Sequence, residues 1–220
     1  MEFTPTEVIL KRAKAAASCP ALRDTEAKNR ALAAMAQELR AEAPAILAEN
    51  AADLEASRGK VPDVMLDRLA LNEARLEGMA AGIEAVAALP DPVGRTLDEF
   101  VRPDGLRICK RSVPMGVIAI IYESRPNVTS DAAALALKAG SACVLRGGKE
   151  AHRSAGAIVA ALKKGMEQAG LSQDALQLVE DTSRDTATQM MKLNGYLDVL
   201  IPRGGAGLIP TTQLPKFFRL

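Results

Sequence analysis

Hydrophobic residues recur at helical spacing through most of the first 89 residues of the chain. Leu32, Met35 and Leu39 follow one another at intervals of three and four residues, and a similar pattern continues to Val86, after which Pro90 interrupts it. Many other positions hold alanine, whose small side chain lets helices approach closely. The pattern predicts a layer of helices packed against another layer, and we find no candidate catalytic residue in it.

The pattern changes between residues 90 and 110, where proline, glycine and aspartate recur among short hydrophobic pieces. Such a mixture is typical of an extended crossover or of short strands, with a hairpin as one form of the latter. Cys109 lies in one of these hydrophobic pieces, so we expect it to be a small buried residue.

Beyond residue 112, continuous hydrophobic runs alternate with helical segments. Strands that are covered on both faces have no polar face, and long helices between them favour a parallel sheet with right-handed crossovers. We therefore predict an α/β fold, in which N-terminal helices are combined with a Rossmann-like parallel sheet. The predicted strands are residues 113–122, 142–145, 176–179 and 197–201, and the predicted helices are residues 128–139, 150–169 and 182–193.

The composition removes several classes of function from consideration. The chain has 220 residues, of which 48% are hydrophobic and 25% charged, as in a soluble globular protein. A net charge of +1, 3% aromatic residues and no tryptophan give no reason to expect nucleic acid or an anionic membrane as a partner. Three cysteines without CxxC spacing argue against a disulfide framework or a structural zinc site, and we expect a cytoplasmic protein without a signal or spanning segment.

The loop after the first predicted strand contains Arg125, Pro126 and Asn127. Pro126 should hold Arg125 in an extended conformation. Asn127 then stands at the entry of the next helix, where two interpretations remain open. In the first, its side chain caps the helix, as asparagine often does; in the second, its amide donates a hydrogen bond to a developing oxyanion, as acyl-transfer sites require.

Two further loops combine arginine with glycine directly after a strand. Arg146, Gly147 and Gly148 precede one helix, and Gly204 and Gly205 follow the last predicted strand. Glycines let a backbone approach a bulky ligand, and a helix N-terminus favours anions, although an ordinary turn would have a similar composition. Because parallel strands end at one edge of the sheet, we expect all three loops to converge on a nucleotide or another phosphorylated or carboxylated ligand there.

The residues from Val113 to Ala151, VPMGVIAIIYESRPNVTSDAAALALKAGSACVLRGGKEA, and those from Leu197 to Ile209, LDVLIPRGGAGLI, resemble one known family. It is the gamma-glutamyl phosphate reductase family, also called glutamate-5-semialdehyde dehydrogenase, within the aldehyde dehydrogenase superfamily. The segment YESRPNVT is specific to this branch and disfavours other members of the superfamily. The resemblance covers residues from about Thr4 to Ile209, which correspond to the first half of the family's enzymes.

The resemblance implies NADPH-dependent reduction of gamma-glutamyl 5-phosphate to glutamate 5-semialdehyde and phosphate, a step of proline biosynthesis. A cysteine thiolate of the family displaces phosphate and forms a thioester, which hydride then reduces. The resemblance also implies a homo-oligomer and glutamate 5-kinase as a partner. By motif, the oxyanion donor would be Asn127 and the cofactor would meet Arg146, Gly147, Gly148, Gly204 and Gly205, while charge suggests Arg125 for the anionic groups of the substrate.

The last eleven residues depart from the family pattern. Pro210 and Pro215 would damage a helix that opens only a few residues earlier, so we interpret the tail as frameshifted or truncated. The only histidine, His152, is expected at the surface, and none of the cysteines matches the family's nucleophile. We therefore predict a helical layer and crossover (1–110), a cofactor-binding region (111–209) and an atypical tail (210–220), without turnover by this chain alone. The alternative is a non-catalytic fragment that binds nucleotide or pairs with other subunits.

Overall fold

The alanine-rich first region forms helices, as its spacing predicts. The computed structural model describes residues 3–193 and 195–204. Side chains cap two of these helices, because Asp24 and Asn72 accept hydrogen bonds from the amides of Ala27 and Arg75 (2.6 and 2.8 Å). The helices are α1 (Thr6–Ala17), α2 (Thr25–Ala41), α3 (Ala43–Ser57), α4 (Asp63–Leu69) and α5 (Glu73–Ala88).

A two-stranded antiparallel hairpin follows the helices and consists of β1 (Thr96–Val101) and β2 (Arg107–Arg111). Of the two forms predicted for this segment, the hairpin is therefore the one observed. Every residue of both strands is exposed, because the described residues place no layer against either face. The prediction of a buried Cys109 is wrong for this reason.

The remaining described residues build a parallel sheet with the strand order β5-β4-β3-β6. The predicted α/β class with a Rossmann-like parallel sheet is confirmed. The strands are β3 (Val117–Tyr122), β4 (Ala142–Arg146), β5 (Leu176–Leu178) and β6 (Val199–Arg203), and the helices between them are α6 (Pro126–Lys138), α7 (His152–Gln168) and α8 (Arg184–Lys192).

The strand β3 begins four residues later than predicted. Its first ladder pair joins Val117 to Ala142, and Val113 before it is exposed, so hydrophobicity alone extended the prediction too far. Gly116 marks the boundary with φ +101°, and a β-carbon there would lie 2.2 Å from an oxygen of Asp198. That carboxylate instead accepts the amide hydrogen of Val117 at 2.8 Å, which fixes the point where the strand enters the sheet.

The sheet is covered on both faces, which explains its continuous hydrophobic strands. The crossovers through α6 and α7 advance in one direction along the sheet and the crossover through α8 returns in the other, so right-handed connections place α8 on the opposite face. Helix α1 contacts α8, β4 and β5, while α2 packs across α5 and α7 as an outer layer. Every residue of β3 and β4 is buried as a result, and one hydrophobic cluster runs from the N-terminal helices into the sheet. None of the described helices is long and hydrophobic enough to cross a bilayer.

Candidate functional site

The carboxyl ends of three neighbouring strands form one edge of the parallel sheet. Ile121 of β3 is paired with Arg146 of β4, and Tyr122 is paired with Arg203 of β6. The loops that follow these strands therefore leave the sheet at the same edge, which we call the carboxyl rim. This confirms the predicted convergence of the loops, whereas the binding roles of their residues stay predictions.

Close contact between two of the loops explains the glycines after β4. A β-carbon on Gly147 would lie 3.2 Å from the ring of Tyr122, and one on Gly148 would lie 2.5 Å from the hydroxyl of Ser124. Ser124 donates to Glu150 at 2.7 Å, which ties the two loops together. Packing between loops thus accounts for both glycines without a ligand.

Arg146 ends β4 almost fully buried, with 8% of its surface exposed. Its Nη2 donates hydrogen bonds to the carbonyl oxygens of Thr182 and Ser183, in the loop after β5. The distance from Nη2 to the oxygen of Ser183 is 2.9 Å. Its Nε is buried without a hydrogen-bond partner among the described residues. Burial lowers the pKa of this guanidinium from its usual value, although the carboxylates of Asp181 and Glu150 oppose the change. Arg146 therefore fastens a neighbouring loop and keeps one N–H donor unused.

A carboxylate of the protein already occupies part of the N-terminus of α7. Asp53 on α3 accepts hydrogen bonds from the backbone amide and the hydroxyl of Ser154, at 2.8 and 2.6 Å. Asn50 adds a hydrogen bond from its amide to the same hydroxyl at 3.0 Å. This buried group holds α7 against α3, and it competes with the anion that the sequence pattern predicts for this helix end.

The structure decides between the two interpretations of Asn127 only in part. Helix α6 begins at Pro126, and the residue in the capping position is Arg125, which is extended as predicted (φ −123°, ψ 101°). Asn127 is the second residue of the helix, so the interpretation as a cap is wrong. Its side chain is exposed and makes no hydrogen bond to any described residue, which leaves the amide available to a ligand.

A cavity of about 360 Å³ lies between the start of α6 and the helices α4 and α5. Arg125, Asn127 and Asp131 line it from α6, and Arg68 and Arg75 line it from the other side. Burial raises the pKa of Asp131 above its usual value, and the charge of Arg203 opposes the rise in part. The cavity therefore combines groups of both charges around the amide of Asn127.

A smaller cavity of about 220 Å³ lies at the carboxyl rim. Glu123, Arg125, Arg203 and Gly204 line it, so Arg125 borders both cavities. A β-carbon on Gly204 would lie 2.7 Å from a carboxylate oxygen of Glu123, which explains the need for glycine there. Gly205, the other predicted glycine of this loop, and the tail of residues 210–220 lie outside the described residues.

Comparison with known proteins places these observations in a family. A gamma-glutamyl phosphate reductase from Neisseria meningitidis is 61% identical over 204 residues, which cover 93% of this chain and 49% of that protein. One from Streptococcus suis is 57% identical over 207 residues, 94% of this chain and 50% of that protein. The crystal structure of gamma-glutamyl phosphate reductase from Thermotoga maritima matches with a TM-score of 0.89 and 41% identity over 92% of this chain and 49% of that one.

The chain belongs to the gamma-glutamyl phosphate reductase family. It spans about half the length of the curated relatives it matches. No model of a protein family matches it. A probable aldehyde dehydrogenase from Listeria monocytogenes (TM-score 0.71, 14% identity, 92% of this chain and 42% of that one) shares the fold. An engineered glycolyl-CoA reductase with bound NADP+ (TM-score 0.64, 15% identity, 94% and 44%) shares it as well.

Sequence analysis missed three residues of the larger cavity. Arg68 and Arg75 stand on short or exposed helical segments and look like an ordinary solvated face, while Asp131 looks like one polar residue in an alanine-rich helix. The spacing of four residues between Asn127 and Asp131 was the only available signal, because it places both on one side of α6.

None of the described cysteines lines either cavity. Cys143 is buried in β4, where burial raises the pKa of its thiol to about 12, and Cys109 is on the exposed hairpin. His152 is half-buried at the start of α7. Within the residues that the structure describes, no group of histidine, cysteine, aspartate or glutamate side chains is arranged to hold a metal ion.

Proposed function

We propose that this chain carries the cofactor-binding residues and part of the substrate site for the NADPH-dependent reduction of gamma-glutamyl 5-phosphate. The products are glutamate 5-semialdehyde and phosphate, in proline biosynthesis. The observation that carries the proposal is the identity of 57–61% to gamma-glutamyl phosphate reductases over 93–94% of the chain. The bound NADP+ in the engineered glycolyl-CoA reductase of the same fold supports the choice of cofactor.

The carboxyl rim fits a dinucleotide in two respects. Arg146 keeps a buried Nε–H without an acceptor, and exposed cations stand nearby at Lys149 and Arg203. Ligands of open parallel sheets bind beyond the carboxyl ends of the strands, which is where these groups lie. The residues proposed to hold the cofactor are Arg146, Gly147, Gly148, Gly204 and Gly205.

The free amide of Asn127 is suited to stabilise charge on an acyl group. In the proposed reaction a cysteine thiolate attacks the acyl carbon, phosphate leaves, and the thioester is reduced to the aldehyde with release of the thiolate. NADPH supplies the hydride when it is bound. Asn127 donates to the carbonyl oxygen while negative charge develops there, and Arg125 pairs with the departing phosphate.

Ligand-induced stabilisation tests the cofactor assignment. NADPH at 100 times its dissociation constant should stabilise the purified chain by about 2.7 kcal/mol, measured by thermal unfolding, and NADH serves as the comparison for cofactor preference. Asn127→Ala is the matched control, because it should bind NADPH as the unmodified chain does. A folded chain whose unfolding is unaffected by NADPH contradicts the assignment.

Turnover tests the position of the nucleophile. In an NADPH-coupled assay with enzymatically generated gamma-glutamyl phosphate, we expect no sustained turnover by this chain alone, because no described cysteine lines either cavity. Sustained turnover would show that a cysteine of this chain reaches the substrate.

A second candidate function is subunit pairing without catalysis, and the exposed hairpin favours it. Two short strands alone are marginally stable in water, and a patch of exposed hydrophobic residues commonly marks an interface. If the hairpin mediates the proposed homo-oligomer, Phe100→Ser should shift the chain toward monomer in sedimentation velocity, whereas Arg102→Ser on the same hairpin should not. The exposed hydrophobic residues of the hairpin that could form this interface are Leu97, Phe100, Val101, Leu106 and Ile108.

Contact with glutamate 5-kinase stays a prediction.

A further inference from the structure

The cavity beside Asn127 contains more charge than an acyl phosphate alone requires. Asp131 and Asp67 line it with carboxylates. Arg68 and Arg125 line it with guanidinium groups, and Met79 is among the other lining residues. An anion site needs only cations. A site with both signs fits a ligand that carries an ammonium group as well as carboxylate or phosphate groups.

Asp131 is the acidic group of the cavity that is influenced by the charge of Arg203 without being paired to it. It is half-buried, and its carboxylate makes no hydrogen bond or ion pair to the residues described. Burial raises its pKa, which means that the ionised form gains from a nearby cation. Asp67, in contrast, already accepts from Arg75 at 3.2 Å.

The arginines of the cavity divide in the same way. Arg75 donates to the carbonyl oxygens of Asp67 and Ala70, at 2.6 and 2.5 Å, so it is occupied in holding the turn between α4 and α5. Arg68 and Arg125 form no ion pair within the described part of the chain, and both line the cavity. Two guanidinium groups are therefore available to a ligand.

The spacing along α6 sets the length of that ligand. Asn127 and Asp131 are one helical turn apart on the same side of the helix, with roughly 5–6 Å between their β-carbons. In a glutamyl acyl group four covalent bonds separate the acyl carbon from the α-nitrogen, a span of roughly 5 Å when the chain is extended. Arg125 precedes Asn127 on the side away from Asp131, next to the carboxyl rim.

We propose that Asp131 and Arg68 recognise the α-ammonium and α-carboxylate groups of an α-amino-acid substrate, whose acyl group lies at Asn127 and whose phosphate lies at Arg125. The identity of the acyl phosphate rests on the proposed function. The recognition of an amino-acid head group rests on the cavity itself. Asp131 and Arg68 are specificity-determining residues in this arrangement, since neither contacts the reacting carbon.

Three small ligands test the proposal on the unmodified chain. L-glutamate carries both α-groups, glutarate lacks the α-ammonium group, and 4-aminobutyrate lacks the α-carboxylate. Dissociation constants from titration calorimetry or ligand-observed NMR should favour L-glutamate by about 10-fold over each analogue, the amount that one charge-assisted hydrogen bond provides.

The variants assign each preference to one residue. Asp131→Asn should abolish the preference for L-glutamate over glutarate and leave glutarate binding unchanged, and Asp131→Ser repeats the test if the first variant does not fold. Arg68→Gln should abolish the preference over 4-aminobutyrate. Asp98→Asn on the hairpin and Arg30→Gln on α2 are matched exposed controls and should retain both preferences.

The outcomes separate this inference from the proposed function. Equal binding of all three ligands, an absence of L-glutamate binding by the folded chain, or retained preferences in Asp131→Asn and Arg68→Gln would overturn the head-group assignment. If NADPH still stabilises the chain in that case, the proposed function survives alone. If L-glutamate is discriminated through Asp131 while NADPH has no effect, the head-group assignment survives and the cofactor assignment fails.

Discussion

The parallel strands β3 and β4 and the hairpin strands β1 and β2 have similar lengths but opposite surroundings. Every residue of β3 and β4 is buried, and every residue of β1 and β2 is exposed. Both pairs have a complete ladder of backbone partners, apart from one irregularity between Thr96 and Asp98. The difference therefore lies in the layers above and below each pair, not in strand pairing.

The comparison indicates that the buried parallel sheet provides stability, whereas the exposed hairpin provides surface for contact with other molecules. Burial between α1 and the layer of α6 and α7 holds the parallel strands, whose ends then carry the carboxyl rim. The hairpin is anchored to the rest of the molecule by the segments on either side of it, where Lys28 donates to Asp91 at 2.8 Å and the amide of Met115 donates to Ser141 at 3.2 Å. Three matched pairs of residues and one pH titration test the comparison.

The two strand cysteines provide the largest expected difference. Cys143 in β4 has a pKa raised to about 12 by burial, so at pH 8 its thiolate fraction is roughly 10³-fold below that of an ordinary thiol. Cys109 in β2 is exposed. Titration with Ellman's reagent should show a fast reaction that Cys109→Ser removes and Cys143→Ser does not. A fast phase lost in Cys143→Ser would contradict the burial of β4.

Leucine truncation compares the two regions in free energy of unfolding. Leu145 in β4 is 0% exposed, so Leu145→Ala should cost about 2–5 kcal/mol through lost burial and an internal cavity. Leu97 in β1 is 57% exposed, and Leu97→Ala should change stability by no more than about 0.5 kcal/mol. Denaturant unfolding measures both. A large cost at Leu97 that depends on protein concentration would instead show that another copy covers the hairpin.

Two ion pairs repeat the comparison on a smaller scale. The side chain of Lys28 is 0% exposed and pairs with Asp91 at 2.8 Å, and it also donates to the carbonyl oxygen of Lys138. Lys28→Met leaves both acceptors without their donor, so it should lower the free energy of unfolding by about 3 kcal/mol. Arg107 and Glu99 form an exposed ion pair on the hairpin, so Arg107→Gln should lower the free energy of unfolding by less than about 1 kcal/mol. Equal losses in the two variants would contradict the comparison.

The anchor at Asp91 also predicts a dependence on pH. Burial tends to raise the pKa of Asp91, but hydrogen bonds from Lys28, Thr25 and the amide of Val93 outweigh it and hold the pKa below its usual value. Because the pKa of Asp91 is lower in the folded state than in the unfolded state, its ionised form stabilises the fold at pH values above the unfolded pKa of about 3.9. This stabilisation is lost as the pH falls through the pKa of the folded state. The difference in unfolding free energy between the chain and Asp91→Asn should therefore narrow in acid. A constant difference from pH 7 to pH 3 would contradict the role of the charge.

The rim loops could be predicted from sequence because strand direction alone decides where they emerge. The same reasoning failed at Cys109, since a hydrophobic neighbourhood in sequence does not reveal whether a layer covers the strand. It also failed for the capping role of Asn127, because Pro126 already starts the helix and moves the cap to Arg125. The partners of Arg146 and the cavity residues Arg68 and Asp131 depend on contacts between segments distant in the chain, which no local pattern contains.

The sequence by itself determined the α/β class, the order of strands and helices, and the edge at which the glycine and arginine loops meet. These follow from hydrophobic periodicity and from the fixed handedness of crossovers, which are properties of neighbouring residues. Only the tertiary structure decided which strands are covered, which arginine is already bound to backbone carbonyls, and which carboxylate of the cavity forms no hydrogen bond or ion pair with the described residues. Burial and charge pairing are set by residues that come together from different parts of the chain, and they decide which polar groups remain available to a ligand.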